Sequence, residues 1–448
     1  MGYSRWLVPP AALAVHLSIG QAYALSVFNL PLSKELDVQL SATIWMFNIA
    51  FFFLGVSAAV FGTWVERVGP RMAMLASATC FASGFFVSAL GVKLKLLFLL
   101  YAGYGVLGGI GLGLGYISPV STLIKWFPDR PGMATGLAIM GFGGGAMVGA
   151  PLAVTLMEKV GLAGTFVAMG AIYLALMCFG AAIVRLPAHV AIAKTGEGLT
   201  ADEAIRTPRF WLVWGVLFTN VTAGIGILGQ ASPMIQEMFR QTPAAAAGFV
   251  GLLSLFNLAG RFVWSSFSDR LGRKTTYAVY LALGALLYLS IPSLGVTWLF
   301  VAVACVILSM YGGGFATVPA YLRDLFGTKQ VGAIHGRLLT AWSTAALVGP
   351  SIVTYAREYQ IAHGVPKAGA YSKTMYFLAA LLVVGFVCNT RIRAEHPAPA
   401  SLRGAAMDEG TSSAPVPLVP LLGYWVVVLI PLSWGVYQVV KKSIALFS

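Results

Sequence analysis

Charge is what this chain lacks. Asp, Glu, Lys and Arg make up 10% of its 448 residues, against about 25% in soluble globular domains. Acids are scarcest: Asp and Glu number 15, Lys and Arg 29, for a net charge of +14. With 58% hydrophobic residues and a mean hydropathy of +0.82, the chain carries more apolar surface than a water-soluble fold can hide. Cysteine is scarce too. Cys80, Cys178, Cys305 and Cys388 stand alone in separate apolar stretches, so neither a disulfide framework nor a metal site is expected. No cofactor motif occurs. The short alternating segments of a β-barrel are absent. The basic residues are spread over short connections and form no patch, which excludes nucleic acid as a partner and points to the positive-inside rule.

What the chain has instead is long apolar runs, from Trp6 to Val440. They make it an all-α polytopic membrane protein, with the lipid bilayer as its solvent. Hydropathy predicts spans over residues 8–30, 42–64, 72–91, 96–124, 132–157 and 163–184, then 209–237, 243–267, 274–294, 297–323, 332–356 and 372–392, and a thirteenth over 416–440. The longest polar interruption among the first twelve, 185–208, contains His189, Lys194 and Glu197. It separates a six-helix bundle over 1–184 from another over 209–392, and a polar linker over 393–415 precedes the thirteenth span. The N-terminus has a signal-like look, with Arg5, an apolar run and Ala22-Tyr23-Ala24, but the run is too long for a signal peptide and reads as an uncleaved first helix. With the N-terminus in the cytoplasm, most loop Lys and Arg fall on the cytoplasmic side, as expected of a multi-pass protein of the cell (inner or plasma) membrane. Lys441 and Lys442 run against that rule.

The two halves share a motif. Gly62-Thr-Trp-Val-Glu66-Arg67-Val-Gly69-Pro-Arg71 follows span 2. Ser265-Ser-Phe-Ser-Asp269-Arg270-Leu-Gly272-Arg273-Lys274 follows span 8. Glu66 and Asp269 stand at the same offset as Gly69 and Gly272. This loop resembles the signature of the major facilitator superfamily, G-x3-D-R-x-G-R-R/K. Gly141-Phe-Gly-Gly-Gly-Ala-Met-Val-Gly149-Ala-Pro151 resembles its gate-helix motif, with Gly349-Pro350 as counterpart. Within the superfamily, Lys125-Trp-Phe-Pro-Asp-Arg-Pro-Gly-Met-Ala-Thr-Gly136, Arg206-Thr-Pro-Arg-Phe-Trp211, Asn257-Leu-Ala-Gly-Arg261 and Asp324-Leu-Phe-Gly-Thr328 resemble the oxalate/formate antiporter family, akin to the monocarboxylate transporters. The resemblance covers spans 1–12. The thirteenth, with Pro431-Leu-Ser-Trp-Gly-Val-Tyr-Gln, is similar to small one-helix proteins that sometimes accompany this family. The fold implied is the major facilitator fold, two six-helix bundles plus one helix, and the two loop motifs are expected to act as gating latches.

Arg261 is the residue most in need of a reason. It lies eight residues before Asp269, roughly 12 Å along the helix at about 1.5 Å per residue, well inside a hydrocarbon core of roughly 30 Å. A guanidinium there costs on the order of 2.5–3.5 kcal/mol and cannot shed its proton. No Asp or Glu maps deep into the first twelve spans to neutralise it, so an anionic substrate is the expected partner. Asn257, one turn earlier, shares its face. In the resembling family the counterpart of Arg261 binds substrate carboxylate between the halves. Tyr23, Tyr116, Tyr311 and Phe315 match the family's aromatic site positions. Oxalate-specific members add a Lys on span 11, and the stretch Gly336 to Trp342 puts Trp342 at that place. A single cation suits a monoanion, so a secondary transporter of formate, lactate, pyruvate or a similar acid is expected, by antiport or proton coupling. The alternatives are oxalate:formate-type exchange and a non-transporting sensor on the same fold. His16 and His335 are the candidates for a proton relay. Nothing suggests an enzyme, and the protein is expected to work as a monomer.

Overall fold

The computed structural model describes residues 3–38, 40–187, 198–241, 243–393 and 418–443. The described part of each of the thirteen expected stretches falls on helix. Hydrocarbon offers no partner for backbone N–H and C=O groups, so a crossing segment must bond to itself. Among the described residues, nine stretches are long and apolar enough to cross a bilayer. One of them, Gly132–Ile183, is 52 residues long, more than twice the ~20 that one crossing takes. The break lies at Gly161, whose φ of 71° and ψ of 177° interrupt the helix Pro131–Ile183. This φ/ψ pair is open almost solely to glycine. The expected spans 5 and 6 are therefore two crossings joined at one residue, with no loop between them. His189, Lys194 and Glu197, and the linker from residue 394 to 415, lie outside the described residues.

Spans 1 and 11 are broken where uninterrupted helices were expected. Span 1 runs Val8–Ile19, passes through a 3-10 turn over Gly20–Ala24 and resumes as Ser26–Leu36. Span 11 is Val331–Leu338 followed by Thr340–Ala362. Span 4 carries a π-helical stretch over Tyr101–Gly108 before its α-helix Gly109–Trp126.

Small residues set the packing, as they do wherever lipid removes the hydrophobic drive between helices. A Cβ on Gly145 of span 5 would collide with the Gly20 backbone of span 1. One on Gly349 of span 11 would stand 2.9 Å from the Thr222 oxygen of span 7. The two gate helices thus approach equivalent neighbours in the two halves. Across the halves, a Cβ on Gly336 would collide with the Ala58 carbonyl oxygen, and one on Gly132 with that of Ser265. Spans 2 and 11, and spans 5 and 8, form this seam.

Candidate functional site

Span 8, Pro243–Leu271, carries Arg261 into the middle of the molecule, where it is fully buried. Its Nε donates to Asn257 Oδ1 at 3.0 Å, the one-turn pair expected. Its Nη1 makes a long contact of 3.4 Å to the Ile139 carbonyl of span 5. Nη2 has no hydrogen-bond partner among the described residues. The guanidinium carbon lies 5.6 Å from the Phe142 ring centre and 5.2 Å from that of Phe315, within cation–π range. Rings cover the faces of the fork, so only its Nη edge is left to take a ligand. Among the described residues no Asp or Glu is fully buried, and no ion pair reaches Arg261.

The other expected residues converge on the same place. The Trp342 indole is fully buried, with ring centres 4.4 Å from Phe315, 5.3 Å from Tyr116, 5.4 Å from Phe142 and 5.5 Å from Phe51. Tyr23 lies within the 3-10 turn of span 1, and its hydroxyl is 3.2 Å from that of Tyr311 on span 10, which bridges the halves. Tyr311 packs edge-on against Phe315 at 5.2 Å. The Tyr23 and Tyr116 hydroxyls stand near the Arg261 guanidinium. Tyr116 is in ring contact with both His16 and His335, ring centres 5.4 Å and 5.8 Å apart. Several polar atoms here are buried and unbonded among the described residues: Tyr116 Oη, Trp342 Nε1, His16 Nε2 and both His335 ring nitrogens, beside Arg261 Nη2. Buried polar groups normally have partners. Of these atoms, Tyr116 Oη, Trp342 Nε1 and Arg261 Nη2 are donors, whereas His16 Nε2 is an acceptor, since its Nδ1 donates to the Ala12 carbonyl at 3.1 Å. With those donors around one fixed positive charge, the cage is chemically a receptor for an anion.

The latch loops lie at one end of the seam. Gly69 (φ 79°, ψ 170°) and Gly272 (φ 83°, ψ 146°) each precede a helix, Pro70–Leu94 and Arg273–Ser290. The positive φ explains the repeated glycine. Each motif's carboxylate caps the gate helix of the opposite half. Asp269 accepts from the Gly132 and Met133 N–H groups, both at 2.9 Å, at the start of span 5. Glu66 accepts from the Gly332 N–H at 3.1 Å, at the start of span 11, and from Lys125. Helix N-termini offer free donors and a positive dipole end, so a carboxylate is well placed there. Arg273 bonds Asp269 and Ser268 and lies 3.4 Å from Asp324. Lys274 ties to the Thr390 and Ile392 carbonyls. Gly62 lets span 2 touch Ala333, whose Cα would be 2.8 Å from an added Cβ. Arg67, Arg71 and Arg270 are exposed. Thr135 also donates to the Ala316 carbonyl at 2.6 Å, so this face is closed in the structure.

The profile of the Major Facilitator Superfamily matches residues 11–350. The chain belongs to the major facilitator superfamily. An uncharacterised transporter of this superfamily from Escherichia coli (strain K12), YhjX, is 31% identical over 340 residues, covering 74% of this chain and 83% of that protein. The oxalate:formate antiporter of Oxalobacter formigenes is 26% identical over 353 residues, covering 77% and 83%. A bacterial homologue of the iron transporter ferroportin, solved in an outward-facing state, shares the fold with a TM-score of 0.67 at 15% identity, over 86% of this chain and 99% of that one. The chain is thus a multi-pass membrane transporter and not an enzyme, related to the oxalate/formate antiporters and monocarboxylate transporters.

For a major facilitator, two cage residues carried no sequence signal that singled them out. Phe142 covers Arg261 and touches Tyr23, Tyr116 and Trp342. It is the one large side chain in the glycine run Gly141–Gly145, a hint that such a run is built to seat it. Phe51, in contact with Tyr23 and Trp342, sits in a run of three phenylalanines, where sequence does not say which faces inward.

Proposed function

We propose that this transporter carries small monocarboxylates, such as formate, lactate or pyruvate, by rocking its two halves about the Arg261 cage. The observation that carries the reading is one permanent cation, edge-open and unneutralised, in a closed aromatic cage drawn from both halves. The Nη edge would grip one carboxylate by charge-assisted bonds, with Tyr23, Tyr116, Tyr311 and the Trp342 N–H as further donors. A monoanion then leaves the site neutral. A dianion would leave an uncompensated negative charge in a low-dielectric interior, which is costly. Because Arg261 is fully enclosed, substrate enters only when a face opens, and alternating access supplies that opening. The latch face is the cytoplasmic one by the positive-inside count, and the chain sits in the cell membrane as a working monomer. His16 and His335 both contact Tyr116 and form the route by which a proton would follow the anion.

The relative that exchanges oxalate for formate favours a second reading, dicarboxylate exchange. Trp342, an aromatic donor without charge, counts against it. Purified protein in liposomes should be given labelled formate, lactate, pyruvate or oxalate, with internal counter-substrate or a proton gradient. Saturable uptake of at least one monoanion in preference to oxalate is expected. No uptake of any of the four overturns the reading, and preferred oxalate uptake selects the second. Which driving condition is needed separates antiport from proton symport.

A further inference from the structure

Span 13, Leu418–Ser443, packs at a place where a transporter of this fold must move. It lies against spans 1, 5 and 6 of the first half and against span 8 of the second. Val428 is buried with Leu13 and Ala14, beside Met140, Phe179 and Trp425. Tyr424 packs at a tilt against Phe179, ring centres 5.7 Å apart. Further along, Leu432 and Val436 join Met147 of span 5 and Leu258 of span 8 in one apolar cluster. A Cβ on Gly144 would be 2.6 Å from Leu258 and 2.9 Å from Leu432, so all three meet. A Cβ on Gly435 would be 3.1 Å from the Met147 Cβ and 3.2 Å from its carbonyl. The opposite face, including Leu422, Val426, Ile430 and Tyr437, is exposed, as a lipid-facing surface should be.

The seam it covers is the back wall of the cage. Leu258 adjoins Asn257, and Gly143 would put a Cβ 3.2 Å from Arg261 Nε. Span 5 is one helix thick between the guanidinium and span 13. We propose that the groove between spans 5 and 8 is a helix-docking surface, occupied by the chain's own thirteenth helix. Docked there, the helix rides with the first half and restrains the sliding of span 8 that opens the latch face. Spans 1, 5 and 6 together hold it to the first half, with Gly435 seated on Met147, while span 8 is its most extensive single neighbour. Leu432 against Leu258 is the contact that must slip. This inference rests on the fold alone and needs no particular substrate.

The test uses full-length protein in lipid nanodiscs, with Cys80, Cys178, Cys305 and Cys388 replaced by Ala. Hydrogen exchange is read at residues 132–136 and 332–336, whose backbone is held when the latches are closed. Two cysteine pairs are introduced separately. Gly435→Cys with Met147→Cys joins span 13 to the first half by a disulfide. Leu432→Cys with Leu258→Cys joins it to the second through a short bis-maleimide. The first link should leave exchange unchanged. The second should slow it at least about fivefold, because linking the slipping contact stops the opening. A second link without effect, or a first link that slows exchange as much, overturns the proposal. Gly435→Leu, which pushes the helix off Met147, gives a test that no cross-link can confound. It should speed latch-face exchange, and unchanged exchange also overturns the proposal.

Discussion

Arg261 and Trp342 divide the chemistry of the cage between them. Arg261 supplies the charge, and in the proposed reading Trp342 stands where oxalate-specific members of the resembling family have a Lys. Trp342 touches rings from both halves but its indole N–H is unbonded among the described residues. Trp342→Lys would place an ammonium among Phe142 and Phe315, the rings that cover Arg261. Close charge pairs couple by about 1.5 kcal/mol or more, and about 1.4 kcal/mol is a factor of ten. The oxalate-to-formate uptake ratio should therefore rise about tenfold or more. An unchanged ratio, with the protein still inserted, would contradict the one-cation argument. At this scale much was legible. Arg261 announces itself because a charge in an apolar helix is expensive, and Asn257 because it is one turn away. Phe51 and Phe142 did not, because an aromatic in an apolar run costs nothing wherever it points. That His16 and His335 contact the same tyrosine was illegible for another reason. They are far apart in sequence, and only the closure of spans 1, 4 and 11 joins them.

The helices explain how the cage is built and closed. The latch motifs were readable as a repeat, and their glycines as turns, since only a positive φ demands glycine at both places. Their targets were not readable: nothing in the sequence says that Asp269 caps span 5 or that Glu66 caps span 11. Nor were the helix breaks. The 3-10 turn at Tyr23 and the break at Leu339, close to His335 and Trp342, arise where tertiary packing overrides propensity. Such interruptions recur at transporter binding sites. Asp269→Asn removes the charge from one cap, worth about 1 kcal/mol. The closed-to-open ratio of the latch face should fall about fivefold. Ala316→Cys, buried in the closed state, should then label faster with a thiol reagent added from that face. Labelling at the same rate with and without Asp269→Asn would show that the cap does not hold the latch.

At the scale of the whole molecule, scarcity of charge and recurrence of apolar runs were enough to read a polytopic helical protein, and the repeated loop was enough to read two halves. The thirteenth helix was legible as a span and its seat was not, because docking is a matter of which small residues face each other across the seam. Gly144 and Gly435 look like any other membrane glycine until Leu258 and Met147 are beside them. The halves meet around one positive charge, Arg261. The most direct measurement is counter-substrate-stimulated uptake of labelled formate, lactate and pyruvate into liposomes by the wild type, Arg261→Lys and Arg261→Gln at matched insertion. Loss of a buried, hydrogen-bonded charge partner costs about 2–5 kcal/mol, so uptake by Arg261→Gln should fall at least about 30-fold. Arg261→Lys should not rescue it, because an ammonium lacks the fork. Undiminished uptake by Arg261→Gln would contradict the account.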